Sequence, residues 1–189
     1  MKKLFVFLFF TCCALKINAQ EIPSSAQALK FLSEQAEPVI FDITEDHETF
    51  RLLKDAMPGD IIIKEQHVYK VLKFKLTTAY NAGYIFLDKA KLSEKEFNEL
   101  YKKIMSEYNA GASFKELAVK YTMDKSPDSW EYKFIDGQTV PEFESAVRAH
   151  SAGEVFTVDT PSKKWFHIVK KNEENRRLRA VTVEYGHYR

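Results

Sequence analysis

Cys12 and Cys13 stand side by side near the start of the chain, and His47, His67, His150 and His187 are spread along the rest of it. These side-chain types can supply nucleophiles, proton carriers or metal ligands near neutral pH. These four of the chain's five histidines have no ligand spacing, so no metal is expected. The cysteines sit in MKKLFVFLFFTCCALKINAQ. There Lys2 and Lys3 precede an apolar run over residues 4–15, and Lys16-Ile17-Asn18-Ala19 follows. The run is too short to span a bilayer and has the layout of a secretory signal peptide over residues 1–19, cleaved after Ala19. A lipid-modified Cys12 would need small residues before it, but Phe10 and Thr11 stand there, so no lipid anchor is expected.

Removal of such a leader narrows the chemistry. Both cysteines leave with it, which excludes disulfides, thiol catalysis and Cys-ligated metal from the mature chain. Losing Lys2, Lys3 and Lys16 leaves 25 basic against 27 acidic residues, a net charge of −2, and nothing suggests a nucleic-acid binder. The expected location is the periplasm, with no membrane span in the mature chain. ATP is not available there, so any activity would run on binding energy, without a cofactor. At 189 residues, 45% apolar and 29% charged, the chain can build one or two small cores.

The elements that must position any site follow from periodicity and capping. Residues 20–35 read as a short helix with Ser24 or Ser25 as N-cap, and 38–43 as a strand. Residues 47–56 read as a helix with Phe50, Leu53 and Met57 on one face, stopped by Pro58-Gly59. Residues 61–63 and 67–75 read as strands around a tight turn, 76–81 as a linker, and 84–87 as a strand. A long helix over 93–109 has Ser93 and Glu96 as capping box, Phe97, Leu100, Ile104 and Tyr108 on one face, and Gly111 at its end. Ser113 and Glu116 repeat the box for a second helix. Residues 122–138 read as irregular and 139–149 as a third helix, with Thr139 and Glu142 as a third box and Pro141 in the first turn. Strands follow over 155–158, 165–170 and 178–185. Strands segregate from helices without βαβ regularity, which predicts an α+β fold with a mostly antiparallel sheet.

One pattern occurs twice. Helix, glycine, strand and strand end both halves, with Phe50 aligned on Phe143, Gly59-Asp60-Ile61 on Gly153-Glu154-Val155, and Tyr69–Lys73 on Phe166–Lys170. The expected organisation is a truncated half-repeat over 20–78 and a complete module with a C-terminal strand over 79–189.

Val140-Pro141-Glu142-Phe143-Glu144, Ala146-Val147, Gly153-Glu154-Val155 and Phe166-His167-Ile168-Val169-Lys170 resemble the C-terminal half of a parvulin-type (PpiC, rotamase) peptidyl-prolyl isomerase domain. Ser113–Ala118 and Tyr121-Thr122-Met123-Asp124 resemble its second helix and the acidic loop after it. The resemblance runs from about Ala79 to Lys171. It implies a four-stranded antiparallel sheet wrapped by helices, and a role like that of secreted foldases and outer-membrane chaperones of the SurA and PrsA type. Clients would be unfolded or proline-containing polypeptides.

Carried over residue by residue, the resemblance implies that His167 is the second of a histidine pair at the sheet centre and that Asp124 faces the rotating carbonyl. Phe143 would grip the proline ring, and Ser162 would be a hydroxyl that bonds a histidine. Tyr84 stands where the first histidine is usual, Thr139 where a pocket methionine is usual, and Glu131 where a pocket leucine is usual. Trp130, Tyr132 and Phe134 are read as an aromatic groove rebuilt around these departures. Lys89 and Lys91 fall where phosphate-reading relatives carry basic residues, and are read here as solvated. Two further readings stay open: a groove that binds clients without isomerising them, and a structural subunit docked into an envelope assembly.

Overall fold

A computed structural model describes residues 24–188, so the expected leader lies outside the described residues. The chain divides into two compact units. One comprises the residues up to Asp42, Leu52–Lys73 and those from Thr182 onward; the other comprises Ile43–Arg51 and Phe74–Val181. The boundary falls within strand β3 (His67–Asp88) and again beside Val181 in β7 (Arg176–His187).

In the first unit, helix α1 (Ser25–Ser33) starts at Ser24, whose side chain accepts from Gln27 N–H. Ala28 and Leu32 pack on Val68 and Tyr188, with Phe31, Ile61 and Ile63 around them. The close approach depends on Gly186, where a Cβ would stand 2.5 Å from a Phe31 ring carbon. Strand β1 (Val39–Thr44) forms where a strand is expected, and strand β2 (Ile61–Lys64) pairs antiparallel with the start of β3, Ile61 opposite Lys70.

The second unit holds helices α3 (Glu94–Asn109), α4 (Phe114–Tyr121) and α5 (Pro141–Ala149). Four of its strands are β4 (Tyr132–Ile135), β5 (Val155–Thr160), β6 (Trp165–Lys171) and the later part of β3; the part of β7 up to Val181 also belongs to it. All four are antiparallel, in the order β4-β3-β6-β5. The expected α+β class and four-stranded sheet are therefore present, and both capping boxes, Ser93 with Glu96 and Ser113 with Glu116, are formed.

Four local expectations are corrected. Residues 76–81 are not a linker. They continue β3, because Ala79–Ala82 pairs with β4, a strand within the 122–138 stretch expected to be irregular. The helix expected over 47–56 is a single turn, α2 (Phe50–Leu53), and Met57 is exposed rather than on its packed face. Thr139 does not cap α5. Val140 is the N-cap and makes no side-chain cap bond, since its aliphatic side chain carries no acceptor; Pro141 follows in the first turn, where a missing N–H costs nothing.

The fourth concerns the repeat. Gly59, at φ 100°, donates to Val71 O (2.8 Å) while Val71 donates to Asp60 O (2.9 Å). Gly153, at φ 90°, donates to Lys171 O (2.7 Å) while Lys171 donates to Glu154 O (3.0 Å). The same corner recurs, and a positive φ explains glycine at both. These bonds match Val71 with Lys171, not with Ile168 as the sequence alignment has it. The second hairpin is longer, because it turns through a 3₁₀ turn at Pro161–Lys163 where the first turns tightly at Glu65. Both matched side chains are fully buried. Lysine is tolerated in the second because α5, longer than α2, ends over it, and Lys171 Nζ donates to the otherwise orphan carbonyl of His150.

Candidate active site

Alternation along β3 and β6 gives the sheet of the second unit two faces. Ile85, Leu87 and Ile168 point to a core under α3 and α4 with Ile104, Phe114 and Leu117. Tyr80, Ala82 and Val169 point the other way, to a core under α5 with Phe134, Phe143 and Val147. At the edge of that second core lies a cavity of about 210 Å³, lined by Tyr84, Phe86, Asp124, Tyr132, Thr139, Val140, Phe143, Trp165 and His167.

Each wall has a local cause. Phe86 and His167 are direct partners in the β3–β6 register, so their side chains share a face with Tyr84 and Trp165 two residues away on each strand. Asp124 reaches this face because the chain after α4 is fastened to β3. Met123 N–H donates to Phe86 O (2.9 Å), and Phe86 N–H donates to Thr122 Oγ1 (3.1 Å). Asp124 Oδ1 then accepts from Thr122 Oγ1 (2.9 Å) and Ser126 N–H (3.1 Å), leaving Oδ2 to accept from Tyr84 Oη at 2.8 Å. Phe143, only 3% exposed, comes from the first turn of α5 and meets the His167 ring edge-on at 5.3 Å.

The electrostatics follow from the aromatic surroundings. The rings of Tyr84, Phe86 and Phe143 all lie within 5.9 Å of the imidazole of His167, centroid to centroid. Burial pushes its pKa down to about 4, against a smaller opposing pull from the Asp124 carboxylate. Its Nδ1 is buried without a hydrogen-bond partner among the described residues. Burial first, and the bond to Asp124 second, push the Tyr84 phenol up to about 12. At neutral pH the cavity thus presents a neutral imidazole and a protonated phenol tied to an acid. Apolar walls around one acid–phenol couple suit noncovalent binding of an apolar ring beside a polar group.

Of the residues singled out by sequence, Tyr84, Asp124, His167, Phe143, Thr139 and Tyr132 converge on this cavity. Phe134, Trp130, Ser162, Glu131, Lys89 and Lys91 do not line it. Phe134 lies beneath, 3% exposed, between Tyr80 and Phe143. Trp130 packs on the opposite face of the sheet with Lys115 Nζ 3.9 Å from its ring centroid, and its carbonyl crosses Gly83 so closely that a Cβ there would stand 2.6 Å away. Ser162 is exposed in the 3₁₀ turn and makes no bond to His167. Glu131 pairs with Lys133 at 3.1 Å. Lys89 and Lys91 pair with Asp159 and Asp88. Sequence reasoning missed Phe86, Val140 and Trp165; alternation with Tyr84 and His167 was the available signal for the first and last.

Among the described residues no group of three or more metal-ligating side chains occurs, and no helix is long and apolar enough to cross a membrane. No curated protein matches the chain. A family model does. Residues 66–175, more than half of the chain, match the PPIC-type PPIase domain, and the chain belongs to this parvulin-type peptidyl-prolyl isomerase family.

Proposed function

We propose that this protein is a periplasmic peptidyl-prolyl cis–trans isomerase that assists the folding of exported or outer-membrane proteins. The observation that carries the reading is the convergence of Phe143, Thr139 and His167 with the Tyr84–Asp124 couple in one cavity. The barrier to X–Pro rotation is ~18–20 kcal/mol and comes from amide resonance, so no covalent step is needed. Catalysis requires only that the twisted amide be bound better than the planar one.

Phe143, Tyr132 and Val140 hold the prolyl ring. The planar amide carries partial negative charge on its oxygen, which water stabilises. Taking that oxygen out of water and setting it near the Asp124 carboxylate disfavours the planar form, while the twisted form loses less. Tyr84, Thr122 and the Ser126 N–H keep Asp124 in place, and His167, uncharged, fills the floor without offering a counter-charge. The leader read over residues 1–19 supports the location, and mass spectrometry of the envelope protein should give a mature chain beginning at Gln20 without lipid.

Refolding of a protein whose slow phase is prolyl isomerisation tests the activity. Acceleration of that phase at substoichiometric amounts is expected. A second reading, client binding without isomerisation, is favoured by the phenol of Tyr84 at the position usual for histidine. Its signature is suppressed aggregation with an unchanged slow phase, and that result would displace the isomerase reading.

A further inference from the structure

We infer that Tyr80 is a positioning residue for the cavity, acting through Asp136 and Arg148 on the segment that supplies Thr139, Val140 and Phe143. The inference rests on the isomerase reading for its kinetic readout. Tyr80 lies on β3, on the same face as Tyr84, and is 2% exposed. Its hydroxyl donates to Asp136 Oδ1 (2.7 Å) and accepts from Arg148 Nε (2.8 Å). Arg148, in the last turn of α5, also reaches Asp136 Oδ1 (2.8 Å) and Glu144 Oε1 (2.7 Å). Asp136 Oδ2 accepts from Thr78 N–H (2.7 Å), and Glu144 Oε2 accepts from Gly137 N–H (2.7 Å).

These bonds join three pieces of chain: the start of the β3 wall, the loop after β4, and α5. The loop and the first turn of α5 form one side of the cavity, and α5 has no side-chain cap to fix its start. The network takes that role from the other end of the helix. The Tyr80 ring adds a second path, stacking on Phe134 at 4.9 Å, which in turn contacts Phe143 at 5.8 Å. Arg148 and Asp136 are partly exposed, so their ion pair adds little to stability. What the network supplies is direction, because a buried hydroxyl that both donates and accepts holds its two partners in one arrangement. The Tyr84–Asp124 couple makes none of these bonds and is left as it is.

Tyr80→Phe keeps the ring and removes the hydroxyl. With proline-containing tetrapeptides as probe, it is expected to raise KM and the peptide Kd about fivefold or more while kcat stays within about twofold. Should this variant fail to fold, Asp136→Asn, which touches the network from its exposed side, is expected to show the same split, and Arg148→Lys a smaller one. A folded Tyr80→Phe or Asp136→Asn with unchanged KM and Kd, or with kcat lowered and KM unchanged, overturns the inference. If the wild type binds the peptide without isomerising it, the isomerase reading fails separately, and the same rise in Kd still decides for Tyr80 and no rise against it.

Discussion

The Tyr84 hydroxyl donates to Asp124 Oδ2 across 2.8 Å, joining the last part of β3 to the loop that follows α4. Asp124 is largely exposed, yet three donors hold it: Tyr84, the Thr122 hydroxyl and the Ser126 N–H. An exposed loop carboxylate with that many partners is set in direction rather than left to solvent. Tyr84→Phe removes one donor and keeps the ring against Phe143 and His167. The expected outcome is a thermal midpoint near wild type with isomerisation slowed about fivefold to tenfold. A wild-type rate in Tyr84→Phe would mean that Thr122 and Ser126 suffice.

His167 gives a pH dependence with a definite sign. Its imidazole ionises near 6.5 when unfolded and at about 4 in the fold. Between those values the unfolded chain takes up a proton that the folded chain excludes. The stability carried by the neutral ring is therefore whole above about pH 6.5 and falls as the pH drops toward about 4, by about 3 kcal/mol in total. Urea unfolding across this range should show a steeper loss for the wild type than for His167→Gln, and parallel curves would contradict the buried, neutral imidazole.

The two halves of the site differ in how far the sequence declared them. Ser93 with Glu96 and Ser113 with Glu116 are local signals, complete within one turn, so α3 and α4 could be read directly. Asp124 and His167 came from the resemblance, and the cavity brings them together. Tyr132–Ile135 cannot be read as a strand locally, since four residues become one only by pairing with Ala79–Ala82, most of which falls in the 76–81 stretch that reads as a linker. Aromatic type did not say which face a ring would join. Tyr132 lines the cavity, Phe134 lies under it, and Trp130 sits across the sheet. Ser162 missed His167 because the length of the β5–β6 turn, which decides where that hydroxyl lands, has no local signature.

Phe143 serves the core as well as the cavity. Phe143→Ala should cost ~3–5 kcal/mol of stability, which would confound any kinetic effect. Phe143→Leu retains most of the apolar volume and should cost about 1 kcal/mol. It is expected to fold while binding proline peptides more weakly, through KM. Chemical denaturation and peptide titration of the two variants separate the roles; equal affinity for Phe143→Leu and wild type would remove Phe143 from the ring pocket.

Lys171 is fully buried and donates its ammonium to the carbonyl that ends α5. Lys171→Met fills the same space without the donor and leaves the His150 carbonyl unpaired. A loss of about 1–3 kcal/mol is expected on chemical denaturation. A variant as stable as wild type would show that the longer helix does not need its buried lysine.

The central claim is tested most directly by measuring cis–trans exchange of an X–Pro peptide by NMR, with wild type and Asp124→Ala side by side. The account predicts accelerated exchange with the wild type. It predicts at least about a tenfold slower rate with Asp124→Ala, equal to about 1.4 kcal/mol of barrier, at a nearly unchanged melting temperature. Exchange no faster than in buffer with the wild type, while the peptide still binds, or full activity in a well-folded Asp124→Ala, would contradict it.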